Sequence, residues 1–315
     1  MIEVSHLTKR YGTVTAVRDL TFTVEPGVVT GFLGPNGAGK TTTMRMLTGL
    51  VSPTSGTATI DGRPYGQLRR PSRTVGAVFD ASASHPGHTA RDHLRVYAAM
   101  GGYPDSRVTE LLDLLDLTEA ADRRTRGFST GMRQRLNLAT ALLGYPRVLL
   151  LDEPANGLDP EGMLWLRGYL RRLADEGRTI LISSHVLSEV QQLVDDVVVI
   201  RRGELLAAGP LSRLAGPPAV LVHSPDADRL TTVLRGSRAD GDPPEVEAVG
   251  GGRLRVRGLD APGIADLAAA HRLRVHELVT EHPSLEHLFL NLTNDEHLTN
   301  DEHLTNDKAV TTCGT

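Results

Sequence analysis

Gly34-Pro35-Asn36-Gly37-Ala38-Gly39-Lys40-Thr41-Thr42 decides how the rest of this chain is read. The stretch fits G-x-x-x-x-G-K-[ST], and it stands between the apolar run Val28 to Leu33 and the helix-compatible run Thr42 to Leu47. Glycines let the loop turn tightly enough for successive backbone N–H groups to point inward. A helix starting near Gly39 adds the positive end of its dipole, and the product is an anion cradle. Lys40 can reach the outer phosphates of a nucleotide as a point charge. The Thr41 hydroxyl is placed to ligate Mg2+, a hard cation that takes oxygen. The bland alternative, a glycine-rich turn with no ligand, has the full spacing and both flanks against it.

Working outward, Val148-Leu149-Leu150-Leu151 is a continuous apolar strand of the kind buried in a parallel sheet, and it runs straight into Asp152-Glu153-Pro154. Two adjacent carboxylates at the C-terminal end of a buried strand are costly without a task. Asp152 would hold Mg2+, directly or through water, and Glu153 would polarise the water that attacks a γ-phosphate. The next buried strand, Thr179 to Ser183, ends at Ser184-His185. A lone histidine is usually just packed or solvated, but one at this place can donate to the γ-phosphate and hold water in line. Upstream, Tyr11-Gly12 separates two alternating strand segments. Tyr11 is either a ring packed at a turn or a flat platform for a purine.

Helical periodicity governs the middle of the chain. Thr89 and Asp92 make a capping-box-like start with Leu94, Tyr97 and Ala98 on one face, followed by Val108, Leu111, Leu112 and Leu115 at i, i+3, i+4 and i+7. Ser129 is a plausible N-cap for a helix whose inward stripe is Leu136, Ala139, Thr140 and Leu143. Beyond the break at Gly216-Pro217-Pro218, short strands at Val220 to Val222, Leu254 to Val256 and Leu273 to Val275 alternate with helix-like runs, and Gly236 to Pro244 is the flexible point. A last helix carries the stripe Leu285, Leu288, Phe289, Leu292. It is followed by the tandem repeat Thr293-Asn294-Asp295-Glu296-His297-Leu298, whose leucines, six residues apart, share no helical face. The tail from 293 to 315 is therefore expected to be solvated and disordered, with metal binding by His297 and His303 the minor alternative.

Composition sets the outer limits. A chain of 315 residues accommodates a large α/β core and a smaller accessory unit, and a net charge of −4 gives no sign of wrapping nucleic acid. The single cysteine, Cys313, fits a reducing compartment. Neither a leader nor an apolar run of about 18 residues is present, so the chain is expected in the cytosol and at a membrane only through a partner.

Taken in order, these features resemble the ATP-binding subunit of an ATP-binding cassette (ABC) transporter of the drug and antibiotic exporter (ABC-2) type, over about residues 1 to 215. The resemblance rests on Tyr11, the loop Gly34 to Thr42, the signature-like Phe128-Ser129-Thr130-Gly131-Met132, the run Leu149 to Pro154, the turn Asn156-Gly157-Leu158-Asp159-Pro160, and His185. It implies an α/β P-loop NTPase fold with an N-terminal β subdomain and a helical subdomain at about 85–145. A small α/β accessory domain would fill 216–292. It further implies ATP and Mg2+ as ligands and a head-to-tail pair with a second nucleotide-binding subunit, most simply itself. In that pair Ser129 and Gly131 of one copy would close on the phosphate held by Lys40 of the other, and Asp159 would touch across the dimer. Tyr11 would be the adenine platform and His185 the switch histidine. A transmembrane permease subunit would be the working partner, placing the chain on the cytoplasmic face of the membrane.

Three departures stand out. Asp80 replaces the family's usual glutamine, and an aspartate beside metal and phosphate accepts hydrogen bonds but cannot donate them. Acidic replacement there is familiar among exporter subunits, and Asp80 is retained as a candidate metal ligand. Phe128, Thr130 and Met132 alter the signature around Ser129 and Gly131, and Ala155 removes a hydroxyl before the Asn156 turn. The competing functions are a soluble ABC ATPase that remodels a macromolecular complex, which would usually carry two cassettes or a long coiled coil, and a regulatory module without turnover, which would lack Glu153 or His185.

Overall fold

The computed structural model describes residues 1–79, 84–214, 218–237, 243–281, 285 and 289. Asp80, Gly216-Pro217, Leu288, Leu292 and the 293–315 tail lie outside the described residues. The chain divides into two compact units, Met1–Leu211 and Ser212–Thr315.

The first unit opens with β1 (Ile2–Tyr11) and β2 (Val14–Val24), then β3 (Val29–Leu33), α1 (Lys40–Leu47) and β4 (Ser55–Ile60). Strands β2, β1 and β4 form a small antiparallel sheet with β1 in the centre. The short helix α2 (Pro71–Thr74) leads into β5 (Val75–Val78), and α3 (Ala90–Gly101), α4 (Asp105–Leu114) and α5 (Thr130–Leu142) follow. The chain then returns to the main sheet through β6 (Val148–Asp152), α6 (Pro160–Asp175), β7 (Thr179–Ser184), α7 (Leu187–Val190), β8 (Asp196–Arg201) and β9 (Glu204–Pro210). The main sheet runs β5-β6-β7-β3-β8-β9, parallel except for β9, which returns on β8 as a hairpin.

Burial explains this layering. Every residue of β3, β6 and β7 is buried, as a strand covered on both faces requires. Phe32, Leu150, Leu181, Val198 and Ile200 point to one side, where they share a core with Met44 and Leu47 of α1 and with Ile2, Val4, Leu20 and Phe22 of the small sheet. The Phe22 and Phe32 rings meet at 5.4 Å. Helix α1 is therefore clamped between two sheets, and the loop that precedes it is held from both sides. The alternate residues of the same strands face the opposite side, where α6 packs on β3 and β7.

In the helical insertion, Thr89 caps α3 by accepting from the Asp92 N–H at 3.0 Å, while its hydroxyl donates to the Asp92 carboxylate at 2.7 Å. Leu94 and Ala98 are buried as the periodicity requires, but Tyr97 stays 39 % exposed at the helix edge. Val108, Leu111, Leu112 and Leu115 are all buried. His93 is buried beside Thr140 of α5, its Nε2 lying 3.1 Å from the hydroxyl. Burial pushes the His93 imidazole below its ordinary value of 6.5, and the neighbouring His88 adds to the effect. Because the unfolded chain then takes up that proton first, folding stability should fall as pH drops through 6.5, by up to about 1.4 kcal/mol per pH unit. His93→Gln should flatten this slope in urea titrations at a series of pH values. An unchanged slope would show that His93 is not its source.

The second unit contains α8 (Leu211–Leu214), at the junction, followed by β10 (Ala219–His223), α9 (Ala227–Gly236), β11 (Glu245–Gly250), β12 (Arg253–Arg257), α10 (Ala261–Ala270) and β13 (Glu277–Glu281). The antiparallel order β11-β12-β10-β13 is the split β-α-β arrangement of a ferredoxin-like domain. Its core gathers Val220, Val222, Leu230, Leu234, Leu254, Val256 and Ile264. Leu273 to Val275, expected as a strand, is irregular: Leu273 plugs the core while the Arg274 N–H donates to Asp226 at 3.1 Å. The strand falls instead on Glu277–Glu281.

Candidate active site

The loop, Asp152 and His185 come together because β3, β7 and β6 are neighbours in the sheet and all end on the same edge. At two glycines the loop leaves no room for a side chain. A Cβ at Gly34 would lie 2.3 Å from the Ile200 carbonyl, and one at Gly39 2.6 Å from the Ala16 carbonyl. Gly39 also holds a φ of +108°, in the left-handed region. As the cap of α1 it offers no side-chain acceptor, and no acidic residue stands in the first turn. The helix's leading N–H donors and its positive end are thus left for an anion.

Lys40 is only 6 % exposed. Its ammonium donates to the carbonyls of Gly34 at 2.6 Å and Pro35 at 3.3 Å, and it stands 3.8 Å from the Glu153 carboxylate. Burial lowers the Lys40 pKa from 10.5, and the attraction of Glu153 and Asp152 opposes that shift. A cation already stripped of water gains more from an added phosphate than an exposed one would.

Asp152 and Glu153 have different surroundings. Asp152 accepts from the Thr41 hydroxyl at 2.7 Å and, on its other oxygen, from the Ser183 hydroxyl. The Ser183 oxygen in turn accepts the Glu153 N–H at 3.0 Å. Glu153 itself sits at φ +52°, an uncommon backbone state of a kind that clusters at functional sites. Its carboxylate meets His185 Nδ1 at 2.9 Å. Gln134 of α5 reaches towards the same turn, its amide donating to the Glu153 carbonyl at 3.4 Å. The sequence alone does not single out Ser183 or Gln134: Ser183 is a polar residue directly after the apolar run Ile180 to Ile182, which names no partner for it.

The remaining expected residues lie outside this bonded cluster. Tyr11 ends β1, 50 % exposed, with the Lys9 ammonium 4.8 Å above its ring. Ser129 is exposed and caps α5, accepting from the Met132 N–H at 3.2 Å. Asp159 caps α6, accepting from the Gly162 N–H at 2.8 Å. The α5 start packs on the Asn156 turn, since a Cβ on Gly157 would lie 2.4 Å from Thr130. Among the described residues no hydrogen bond or ion pair joins Tyr11, Ser129 or Asp159 to Lys40, Asp152 or Glu153. Tyr11, Ser129 and Asp159 are exposed, while Gly131 is half-buried, its open side turned to Gly157 and Leu158.

A glycine-rich anion cradle with a buried lysine, a threonine tied to an aspartate and a glutamate tied to a histidine define a nucleoside-triphosphate site of the P-loop NTPase class. Residues 17–156 match the family described as "ABC transporter", and residues 218–286 match a domain of unknown function (DUF8746). The chain is 42 % identical over 217 residues to the bacitracin transport ATP-binding protein BcrA of Bacillus licheniformis, covering 68 % of this chain and 71 % of that one. It is 32 % identical over 308 residues to the linearmycin resistance ATP-binding protein LnrL of Bacillus subtilis (strain 168), covering 93 % and 98 %. A solved ATP-binding subunit of an ABC transporter superposes with a TM-score of 0.62 at 28 % identity, over 68 % of this chain and 91 % of that one. The chain therefore belongs to the ABC transporter ATP-binding proteins, and it is an ATP-binding, ATP-hydrolysing subunit of that family.

Proposed function

We propose that this chain powers a membrane exporter of antibiotics, drugs or other small hydrophobic compounds, seated on the cytoplasmic face of the membrane through a transmembrane permease. The relatives support this reading, one named for bacitracin transport and one for linearmycin resistance. The observation that carries it is the Lys40–Glu153–His185 cluster beside Asp152, which is equipped for turnover and not for nucleotide binding alone. Among the described residues no helix is long and apolar enough to cross a membrane. A groove of about 670 Å³ lined by Leu50, Tyr65, Phe79, Tyr97, Met100 and Tyr103 lies beside α3 and suits the permease. Met100 and Leu50 are 78 % and 67 % exposed there.

Chemically, the site's own residues divide the work. The loop N–H groups and Lys40 hold the β- and γ-phosphates. Glu153 takes a proton from the attacking water as the water oxygen bonds to the γ-phosphorus and the bond to the β-bridging oxygen breaks. His185, oriented by Glu153, donates to the γ-phosphate and keeps that water in line. Thr41 and Asp152 offer oxygen donors 2.7 Å apart, a donor set that fits Mg2+. Bound there, the ion would neutralise phosphate charge.

Among the described residues no hydrogen bond or ion pair joins Lys40 to Ser129, and we assign the completion of each site to a second copy docked head to tail. Purification of the tagged chain from detergent-solubilised membranes tests the reading. A polytopic membrane protein is expected to accompany it at near-stoichiometric amounts. Recovery of only soluble complexes would overturn the exporter reading and favour macromolecular remodelling.

A further inference from the structure

At the opposite edge of the main sheet from the nucleotide site, a depression of about 650 Å³ opens beside the starts of β5 and β6. Five arginines line it: Arg63, Arg69, Arg70, Arg73 and Arg147. All five are exposed, and none pairs with a carboxylate among the described residues; Arg73 alone leans on a ring, that of Tyr103, at 5.5 Å. Asp61, the acidic residue of the depression, is already held by the Met1 ammonium at 2.8 Å. Residues 63 to 73 carry four of these arginines and no acidic residue, in a chain whose net charge is −4. The positive charge is therefore local, and it is left uncompensated.

The form of the depression selects its ligand. A pocket for one small anion would fix its donors in buried positions, whereas here no buried polar side chain lines the wall and the guanidinium groups are free to spread. Arginine forks suit phosphodiester oxygens, and several exposed forks suit many phosphates presented together. The segment that carries Arg69, Arg70 and Arg73 also supplies Ser72 and Val75 to the neighbouring groove assigned to the permease, so the arginines lie next to the face that would meet the membrane subunit.

We propose that this arginine face docks on the anionic phospholipid headgroups of the membrane, as a contact separate from the permease. It rests on the reading that the chain works at a membrane. Each arginine at such a surface strengthens partitioning by roughly fivefold, so removing three lowers it by on the order of 100-fold.

Vesicle flotation of the full chain tests this, with phosphatidylcholine vesicles prepared with and without phosphatidylglycerol. The chain is expected to float with the anionic vesicles only and to be released by high salt. Arg69→Gln/Arg70→Gln/Arg73→Gln should lose that binding by on the order of 100-fold while keeping the wild-type rate of ATP hydrolysis, which reports an intact fold. The charge-matched control Arg123→Gln/Arg124→Gln/Arg126→Gln, at arginines also exposed, should float as the wild type does. No flotation, equal flotation with neutral vesicles, equal loss in both triple variants, or retention of a permease by this face in place of lipid would overturn the proposal. The exporter reading is judged apart from it, by the membrane protein that co-purifies.

Discussion

Replacing Glu153 by Gln will lower steady-state ATP hydrolysis by a factor on the order of 10² to 10⁴, the usual contribution of a positioned general base. The same change should leave nucleotide affinity near its original value. An amide is nearly the same size as the carboxylate, keeps an oxygen for the 2.9 Å contact with His185, and takes nothing from the loop that holds the phosphates. What it removes is the proton acceptor, together with the attraction exerted on Lys40 from 3.8 Å. Phosphate release and titration with a fluorescent ATP analogue separate the two effects. Hydrolysis within a few-fold of the wild type would place the base elsewhere.

Lys40→Ala acts on the other half of the reaction. The ammonium is buried and satisfied by two carbonyls, so it costs desolvation in the free protein and repays it when phosphate arrives. Hydrogen bonds to charged groups contribute about 1.5–3 kcal/mol, and the substitution should weaken ATP binding by about 10- to 100-fold or more. The thermal midpoint of the nucleotide-free protein should move little, because a desolvated charge leaves along with its bonds. Calorimetry of ATP binding beside a melting curve reads both. Unchanged affinity with a lowered midpoint would recast Lys40 as a structural residue.

The site was legible to the extent that its chemistry is local in the chain. Gly34 to Thr42 carries cradle, cation and hydroxyl in consecutive positions, and Leu149 to Glu153 carries strand and carboxylates together, so neighbours in sequence are neighbours in space. His185 could be placed because its strand ends in polar residues after an apolar run. Ser183 could not, since its bonds to Asp152 and Glu153 exist only once β6 and β7 are paired. Nor could the left-handed backbone of Glu153 be read, because a glutamate carries no preference for it. Gln134 joins the site from a helix whose approach is set by packing.

In the second unit the difficulty was one of pattern. β11, with Glu245, Glu247 and one buried residue, Val246, has too weak an alternation to mark a strand, while Leu273-Arg274-Val275 alternates well and is not one. Ser129 and Asp159 show how two readings coexist. Each caps a helix in the single chain, and each is exposed, as the contact proposed with a second copy requires.

That second copy is the central claim, and complementation tests it most directly. Lys40→Ala and Ser129→Arg should each be inactive alone, the first for want of the phosphate-binding cation and the second because the arginine blocks the facing surface. Mixed in equal amounts and given ATP, the two variants form pairs with one intact composite site, from Lys40 of one chain and Ser129 of the other. Hydrolysis should recover towards about one-quarter of the wild-type rate, from random pairing in which half the dimers carry one of two sites. A mixture as inactive as its components would contradict it.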